Sequence, residues 1–336
     1  MSTRFRLGAV SALVGMLVTV TACGGAGSST GNASGGSSGG QDAKITFAIT
    51  PASTSACVQL TGERGVFKSH GLDVAYIPAP PNSAAQIAQI LSGQITAGLG
   101  AYTSVIAAVS NNLPIVATNG QDQDFEKDGQ TAFATIVSPN SGITSFKQLE
   151  GKTVAVNSLQ GTWEVTLREA VAQAGGDPSK VKLVAIPFPS QATALKSGRV
   201  DAISTLQPLI AQITAEGYRS LGDAQAIALG KKNNTTAVTF MAKKFVEANP
   251  DVVNRFQAGL QEGNAWCNSH PADMVKAIAR ITKVPEAVVA KAPVPVFEAK
   301  VDLAEAKAWS ELLVKYGILK QAPPVEQILW SGAPKQ

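Results

Sequence analysis

Four short stretches of this sequence gather hydroxyl and amide side chains where an apolar run gives way to a helix-like one. They are Pro51 to Ala56, with Ser53, Thr54 and Ser55; Gly100 to Ser104, with Tyr102, Thr103 and Ser104; Asn157 to Trp163, with Asn157, Gln160 and Thr162; and Ser204 to Pro208, with Thr205 and Gln207. Such groups hydrogen-bond without carrying charge, and a helix starting beside them adds unpaired backbone N–H groups and a positive dipole end. This is the chemistry of holding a ligand. None of the four stretches contains Lys or Arg, so an anion there would be held by N–H groups, hydroxyls and dipoles, and no fixed cation would be desolvated. The same side chains also suit simple helix capping, which Ser, Thr and Asn do at any N-terminus. Trp163 and Tyr102 hold comparable places in two of the stretches. They could cover the planar or apolar part of a ligand, and Trp163 equally suits a core.

The elements around these stretches read as α/β. Lys44 to Thr50 is strand-like, Val58 to Ser69 helix-like and closed by Gly71, and Leu72 to Ile77 strand-like again. A second such unit opens at Thr153 to Val156. Its helix carries Trp163, Leu167, Ala170, Val171 and Ala174 on one face, ends at Gly175-Gly176, and is followed by a strand over Val181 to Ile186. Two short matches recur in the same order. Ile77-Pro78-Ala79-Pro80 answers Ile186-Pro187-Phe188-Pro189, and Ser92-Gly93-Gln94-Ile95-Thr96-Ala97 answers Ser197-Gly198-Arg199-Val200-Asp201-Ala202. Two lobes of like topology are the expectation. The β-rich runs Thr131 to Val137 and Thr235 to Met241 are read as the crossings between lobes. The first lobe is then built from both ends of the chain, with a cleft between the two. Open parallel sheets bind ligands at the carboxyl ends of their strands, which is where all four stretches fall.

Composition narrows the function classes. The 336 residues suit two domains; 45% are hydrophobic, 15% charged, and the net charge is +4, against both a disordered chain and a nucleic-acid binder. Two histidines and three widely spaced cysteines form no metal-ligand cluster, and no phosphate-binding Gly-x-x-x-x-Gly-Lys-Ser/Thr loop is present. No cofactor is expected.

The N-terminus reads as an address. Arg4-Phe5-Arg6 and the apolar run Leu7 to Val20 form an export signal too short for a convincing membrane span. The run ends in Val20-Thr21-Ala22-Cys23, which resembles the bacterial lipobox, so residues 1–22 are expected to be removed and Cys23 to carry a lipid. Gly24 to Asp42 is nearly all Gly, Ser, Ala and Thr, a tether of roughly 24 Å average span. Its two Gly-x-Ser-x-Gly matches lack the strand and helix that a nucleophilic serine needs.

Several longer motifs identify a family. Gly65-Val66-Phe67-Lys68-Ser69-His70-Gly71-Leu72-Asp73-Val74, Ser92-Gly93-Gln94-Ile95, Gly151-Lys152-Thr153-Val154-Ala155-Val156, Leu195-Lys196-Ser197-Gly198-Arg199-Val200-Asp201-Ala202 and Gln207-Pro208 resemble the solute-binding proteins of nitrate, taurine and aliphatic-sulfonate importers. That family also includes binders of thiamine-pyrimidine precursors. The resemblance runs from about residue 43 to the C-terminus. It implies a two-lobed periplasmic-binding-protein fold (type II), each lobe a mainly parallel sheet flanked by helices, with a two-segment hinge. It also implies closure on a small ligand and delivery to ABC permease subunits with a cytoplasmic ATPase.

On this reading, residues 43–130 and 238–336 form lobe 1 and residues 131–237 lobe 2. The protein is an extracytoplasmic, membrane-anchored monomer, and not an enzyme. An exported enzyme on the same fold would need a clustered nucleophile or base, which the sequence does not offer, and a membrane-coupled sensor is the remaining alternative. Cys57 and Cys267 are an even pair in an oxidising compartment, either bridged or separately buried. His70 and His270 are read as surface residues, and Asp122, Asp124, Glu126 and Asp128 as a solvated loop near the hinge.

Overall fold

Twelve strands, fourteen α-helices and two short 3-10 helices, Phe146–Leu149 and Pro178–Lys180, make up the computed structural model, which describes residues 42–336 apart from Pro81, Asp124 and Asp128. In chain order the strands are β1 (Ala43–Ile49), β2 (Leu72–Pro78), β3 (Ala97–Ala101), β4 (Ile115–Gln123), β5 (Glu126–Lys127), β6 (Gln130–Thr131), β7 (Phe133–Val137), β8 (Thr153–Val156), β9 (Lys182–Ala185), β10 (Ala202–Leu206), β11 (Arg219–Ser220) and β12 (Thr235–Ala242). The helices are α1 (Ser53–Glu63), α2 (Val66–Ser69), α3 (Ser83–Leu91), α4 (Tyr102–Ser110), α5 (Thr162–Gln173), α6 (Phe188–Lys196), α7 (Leu209–Thr214), α8 (Ala224–Leu229), α9 (Lys243–Ala248), α10 (Pro250–Ser269), α11 (Pro271–Thr282), α12 (Glu286–Val289), α13 (Leu303–Lys315) and α14 (Val325–Ile328). The export signal, Cys23 and the tether lie outside the described residues.

One strand plan is used twice. The first sheet has the order β2-β1-β3-β12-β4 and the second β9-β8-β10-β7-β11. Each is mixed. β1 runs parallel to β2 and β3, and β8 to β9 and β10, whereas β12 is antiparallel to β3 and β4, and β7 to β10 and β11. The one reversed strand in each sheet is the strand that enters from the other lobe. The runs read from sequence as crossings, Thr131 to Val137 and Thr235 to Met241, are therefore mostly these entering strands. The crossings themselves fall between β4 and β7, where the β5-β6 hairpin lies, and at residues 230–234.

The sequence matches mark equivalent joints. Gly93 and Gly198 both take left-handed backbone, with φ of 76° and 70°, which a side chain would strain. Three residues on, Thr96 Oγ1 accepts from Thr46 N–H at 3.2 Å, and Asp201 Oδ2 accepts from Thr153 N–H at 2.8 Å. The two side chains tie the same turn to the same strand in each lobe.

Period-two burial builds the cores. Ile45, Phe47 and Ile49 of β1 face α1, α2 and α10, where Phe256 stacks on Phe67 at 5.3 Å and meets Phe47 edge-on at 5.5 Å. Fully burying each such ring is worth roughly 1.5–3 kcal/mol. The opposite face packs α4 and α13, with Tyr102, Ile106, Trp309 and Leu313. In the second lobe Trp163, Leu167, Ala170 and Val171 of α5 pack on β7 and β8.

Two details differ from expectation for local reasons. The first helix begins at Ser53 rather than Val58, and it breaks at Gly65, whose φ of 75° starts α2. Asp122 lies near the end of β4, buried rather than solvated, while Glu126 pairs with Lys232 and so joins the two crossings. The segment through Phe297 runs along the free edge of β4, with Gly120 N–H donating to Ala299 O and Gln123 N–H to Val296 O. Cys57 of α1 and Cys267 of α10 form a disulfide with Cα atoms 5.9 Å apart.

Candidate functional site

The four polar stretches lie at equivalent joints of the two sheets: β1 to α1, β3 to α4, β8 to α5, and β10 to α7. Two pairs of them touch across the lobes. Ser53 Oγ donates to Gln207 O at 3.1 Å, and the hydroxyls of Thr103 and Thr162 lie 2.7 Å apart. All four residues are buried, so these bonds are made away from bulk water.

Side-chain capping from the preceding residue is missing at three of these helix starts. α1, α4 and α5 begin after Ala52, Ala101 and Gly161, none of which makes a side-chain cap. In contrast, α3, α8 and α13 are capped by Asn82, Asp223 and Asp302. The first-turn N–H groups of three helices at the seam are thus left without side-chain acceptors, and their dipoles present positive ends there.

The remaining side chains divide by what they touch. Ser55 Oγ is spent on its own turn, donating to Thr50 O and Ala52 O. Thr54 and Ser104 are half-buried. Thr205 is fully buried, and its hydroxyl finds no partner among the described residues. Asn157 Oδ1 accepts from Ser158 Oγ at 3.3 Å, and exposed Gln160 has φ of 58° with its N–H on Glu164 Oε2. Gln207 acts as a strap: its Nε2 donates to Thr131 O, its Oε1 caps Ala211 N–H, and the peptide bond to Pro208 is cis.

The two aromatic residues sit in the cores. Trp163 is 8% exposed and meets Phe133 and Phe188 edge-on at 5.4 and 5.1 Å. Tyr102 is 1% exposed, and its hydroxyl is pushed up by burial and then by Glu305 and Asp302 at the start of α13. The histidines stand apart from the seam: His70 Nε2 is 3.0 Å from Glu262 Oε2, and the His270 ring stacks on Trp266.

Charged residues that sequence spacing did not single out also cross between lobes. Lys315 Nζ and Tyr316 OH both donate to Glu169 Oε2, at 2.5 and 2.7 Å. Burial pushes Glu169 up, but hydrogen bonds from Lys315, Tyr316 and Gln173 outweigh it and hold the carboxyl below the usual range. Lys231 Nζ reaches Asp302 Oδ2 at 3.2 Å and Glu305 Oε1 at 2.7 Å. Partners 71 to 147 residues apart leave no local signature that spacing could reveal.

Two surface hollows, of about 510 and about 480 Å³, lie elsewhere on the first lobe and share no residue with the seam. Among the described residues, no helix is long and apolar enough to cross a membrane, and no group of three or more His, Cys, Asp or Glu could hold a metal ion.

Duplicated sheets, paired crossings and polar joints facing one seam define a protein of the periplasmic-binding-protein fold. The chain belongs to the NMT1/THI5-like family, whose model matches residues 54–274. It is similar to a binding protein of Brucella abortus (strain 2308), at 25% identity over 68% of each chain. It is also similar to an aliphatic sulfonates-binding protein of Bacillus subtilis (strain 168), at 28% identity over 47% of this chain and 48% of the other. In fold it matches the alkanesulfonate-binding protein of Xanthomonas axonopodis pv. citri bound to MOPS. That superposition has a TM-score of 0.70 and 16% identity, and covers 87% of this chain and 99% of that one.

Proposed function

We propose that this protein is the extracytoplasmic solute-binding component of an ABC importer, and that it captures a small oxyanionic or organic ligand of the sulfonate, taurine or nitrate class between its lobes. The observation that carries this reading is the set of uncapped starts of α1, α4 and α5 at a seam where Ser53 meets Gln207 and Thr103 meets Thr162. Backbone N–H groups and hydroxyls suit an oxyanion, since they bind charge without a buried counter-ion. We assign Thr54, Ser104, Asn157 and Thr205, together with those N–H groups, to the solute. Ser53, Thr103, Thr162 and Gln207 close the seam around it, and Ser55, Gln160, Tyr102 and Trp163 shape the joints. The similarity to named sulfonate binders supports the ligand class.

In this reading residues 43–130 with 238–336, and residues 131–237, rotate about the crossings, and the shut form is what the permease and its ATPase recognise. The protein turns over no substrate and acts as a monomer. The N-terminal segment is an export signal, and Cys23 carries the lipid that keeps the protein at the membrane.

The deciding measurement is thermal shift and calorimetric titration against taurine, alkanesulfonates, nitrate, carboxylates and pyrimidines. A ligand of the sulfonate or nitrate class that stabilises the protein in proportion to its concentration supports the reading. Silence across the panel, or chemical turnover of a bound compound, sinks it. Mass spectrometry of the membrane-extracted protein tests the anchor through a lipid-modified N-terminal Cys23.

A further inference from the structure

Helix α13 is about 20 Å long and is tied at its start to a crossing and at its far end to the second lobe. Its start is held at a crossing, where Lys231 meets Asp302 and Glu305, and Glu305 Oε2 also accepts from Thr235 N–H at 2.9 Å. Its far end is held by Glu169 of α5, through Lys315 Nζ and Tyr316 OH. The Glu169 side chain is 9% exposed, and its other oxygen accepts from Gln173 Nε2 at 3.1 Å. The carboxylate thus accepts from three donors, Lys315 and Tyr316 of one lobe and Gln173 of the other.

The two ties differ in leverage. The first sits where the chain crosses and moves little when the lobes swing. The second lies about 15 Å further along the helix, so a hinge rotation of about 15° would separate its partners by about 4 Å. That is beyond hydrogen-bonding reach. The second tie therefore forms only when the lobes are together. Lys315 stays 54% exposed, so the pair can return to water at modest cost and closure remains reversible.

We propose that Glu169, Lys315 and Tyr316 form a closure latch, a positioning cluster that shifts the open–shut balance toward the shut form and so sets solute affinity without touching solute. Glu169 stands about two turns along α5 from Thr162, so the latch acts on the seam through a shared rigid helix. Apparent affinity scales with the fraction of protein in the competent form. Loss of the latch should weaken solute binding by the same factor by which it lowers the shut fraction. The inference rests on the hinged reading above but not on the identity of the solute.

The test uses the whole chain with no solute added. Small-angle X-ray scattering reports compactness, and hydrogen exchange reports the first-turn amides of α4 and α5. Lys315→Met, at an exposed position, should raise the radius of gyration and speed exchange at Thr103 and Thr162. Tyr316→Phe should do the same to a smaller extent. The paired swap Glu169→Lys with Lys315→Glu should return both readouts toward wild type, which a merely structural role would not require. Folded Lys315→Met and Tyr316→Phe proteins with wild-type scattering and exchange overturn the latch. Neither readout uses solute, so a chain that binds nothing in the ligand panel fails the transport reading and leaves this test standing.

Discussion

The hydroxyls of Thr103 and Thr162 meet at 2.7 Å, although the two residues stand on helices of different lobes, and both are buried. Each is the other's partner at the seam, and Thr162 O also accepts from Thr166 Oγ1 on the inner face of α5. The contact links the start of α4 to the start of α5. The same two helix starts lack side-chain caps from Ala101 and Gly161, so one hydrogen bond lies between two uncapped helix N-termini.

Thr103→Ala and Thr162→Ala should each destabilise the shut form by about 1–3 kcal/mol, because each leaves a buried hydroxyl unpaired. The double variant should cost less than the sum of the two. A double-mutant cycle in urea checks this, and strict additivity would mean that the pair is not coupled.

The disulfide between Cys57 and Cys267 closes a loop of 210 residues and pins α1, whose start forms part of the seam, to α10. Replacing both cysteines with Ala should lower unfolding stability by about 2–4 kcal/mol through greater freedom of the unfolded chain. Denaturation with and without a reductant measures it. Wild type under reductant should approach the double variant.

Gly120 lies under the segment that covers the edge of β4. A Cβ there would stand 2.6 Å from Lys300 O and 2.7 Å from Glu298 O, both backbone atoms that cannot swing aside. Gly120→Ala should therefore cost about 1–3 kcal/mol and loosen residues 296–301. Faster exchange at Ala299 and Val301, with little change in β8 and β9, is the local signature.

Glu169 gives a pH dependence of defined sign. Its carboxyl is held below the usual range in the folded protein, so the stability it contributes is full above the ordinary carboxylate pKa of about 4.3. That contribution fades as pH falls through the lowered native value. The stability gap between wild type and Glu169→Gln should be widest near neutral pH and shrink in acid. Asp302 is pushed up by burial, but hydrogen bonds from Ala304 N–H and Lys231 hold it low, so it adds to the same acid loss. Denaturation midpoints across pH test the sign, and a gap that grows in acid contradicts it.

Much of the architecture was legible in the chain. Alternating apolar runs announced strands, Gly93 and Gly198 marked matching turns, and the two Ser-Gly motifs pointed to a repeated plan that the strand orders share. These signals are local: a left-handed turn or a buried strand face is specified by residues a few positions apart. Polar residues at strand-to-helix joints were legible for the same reason. Their individual roles were not. Gln207 straps the crossing at Thr131, and Trp163 packs between Phe133 and Phe188; each outcome depends on which neighbour arrives from elsewhere in the chain.

The amino-acid order by itself determined an α/β chain with two like halves and uncharged polar joints, because propensity, periodicity and turn chemistry act over short spans. Only the tertiary structure decided that Cys57 bonds to Cys267, that Ser53 and Thr103 meet Gln207 and Thr162, and that Glu169 reaches Lys315 and Tyr316. Hydrogen bonds and ion pairs act over a few ångströms of space with no regard to distance along the chain. Partners separated by many elements are therefore chosen when the sheets and helices pack, and no spacing rule can name them beforehand.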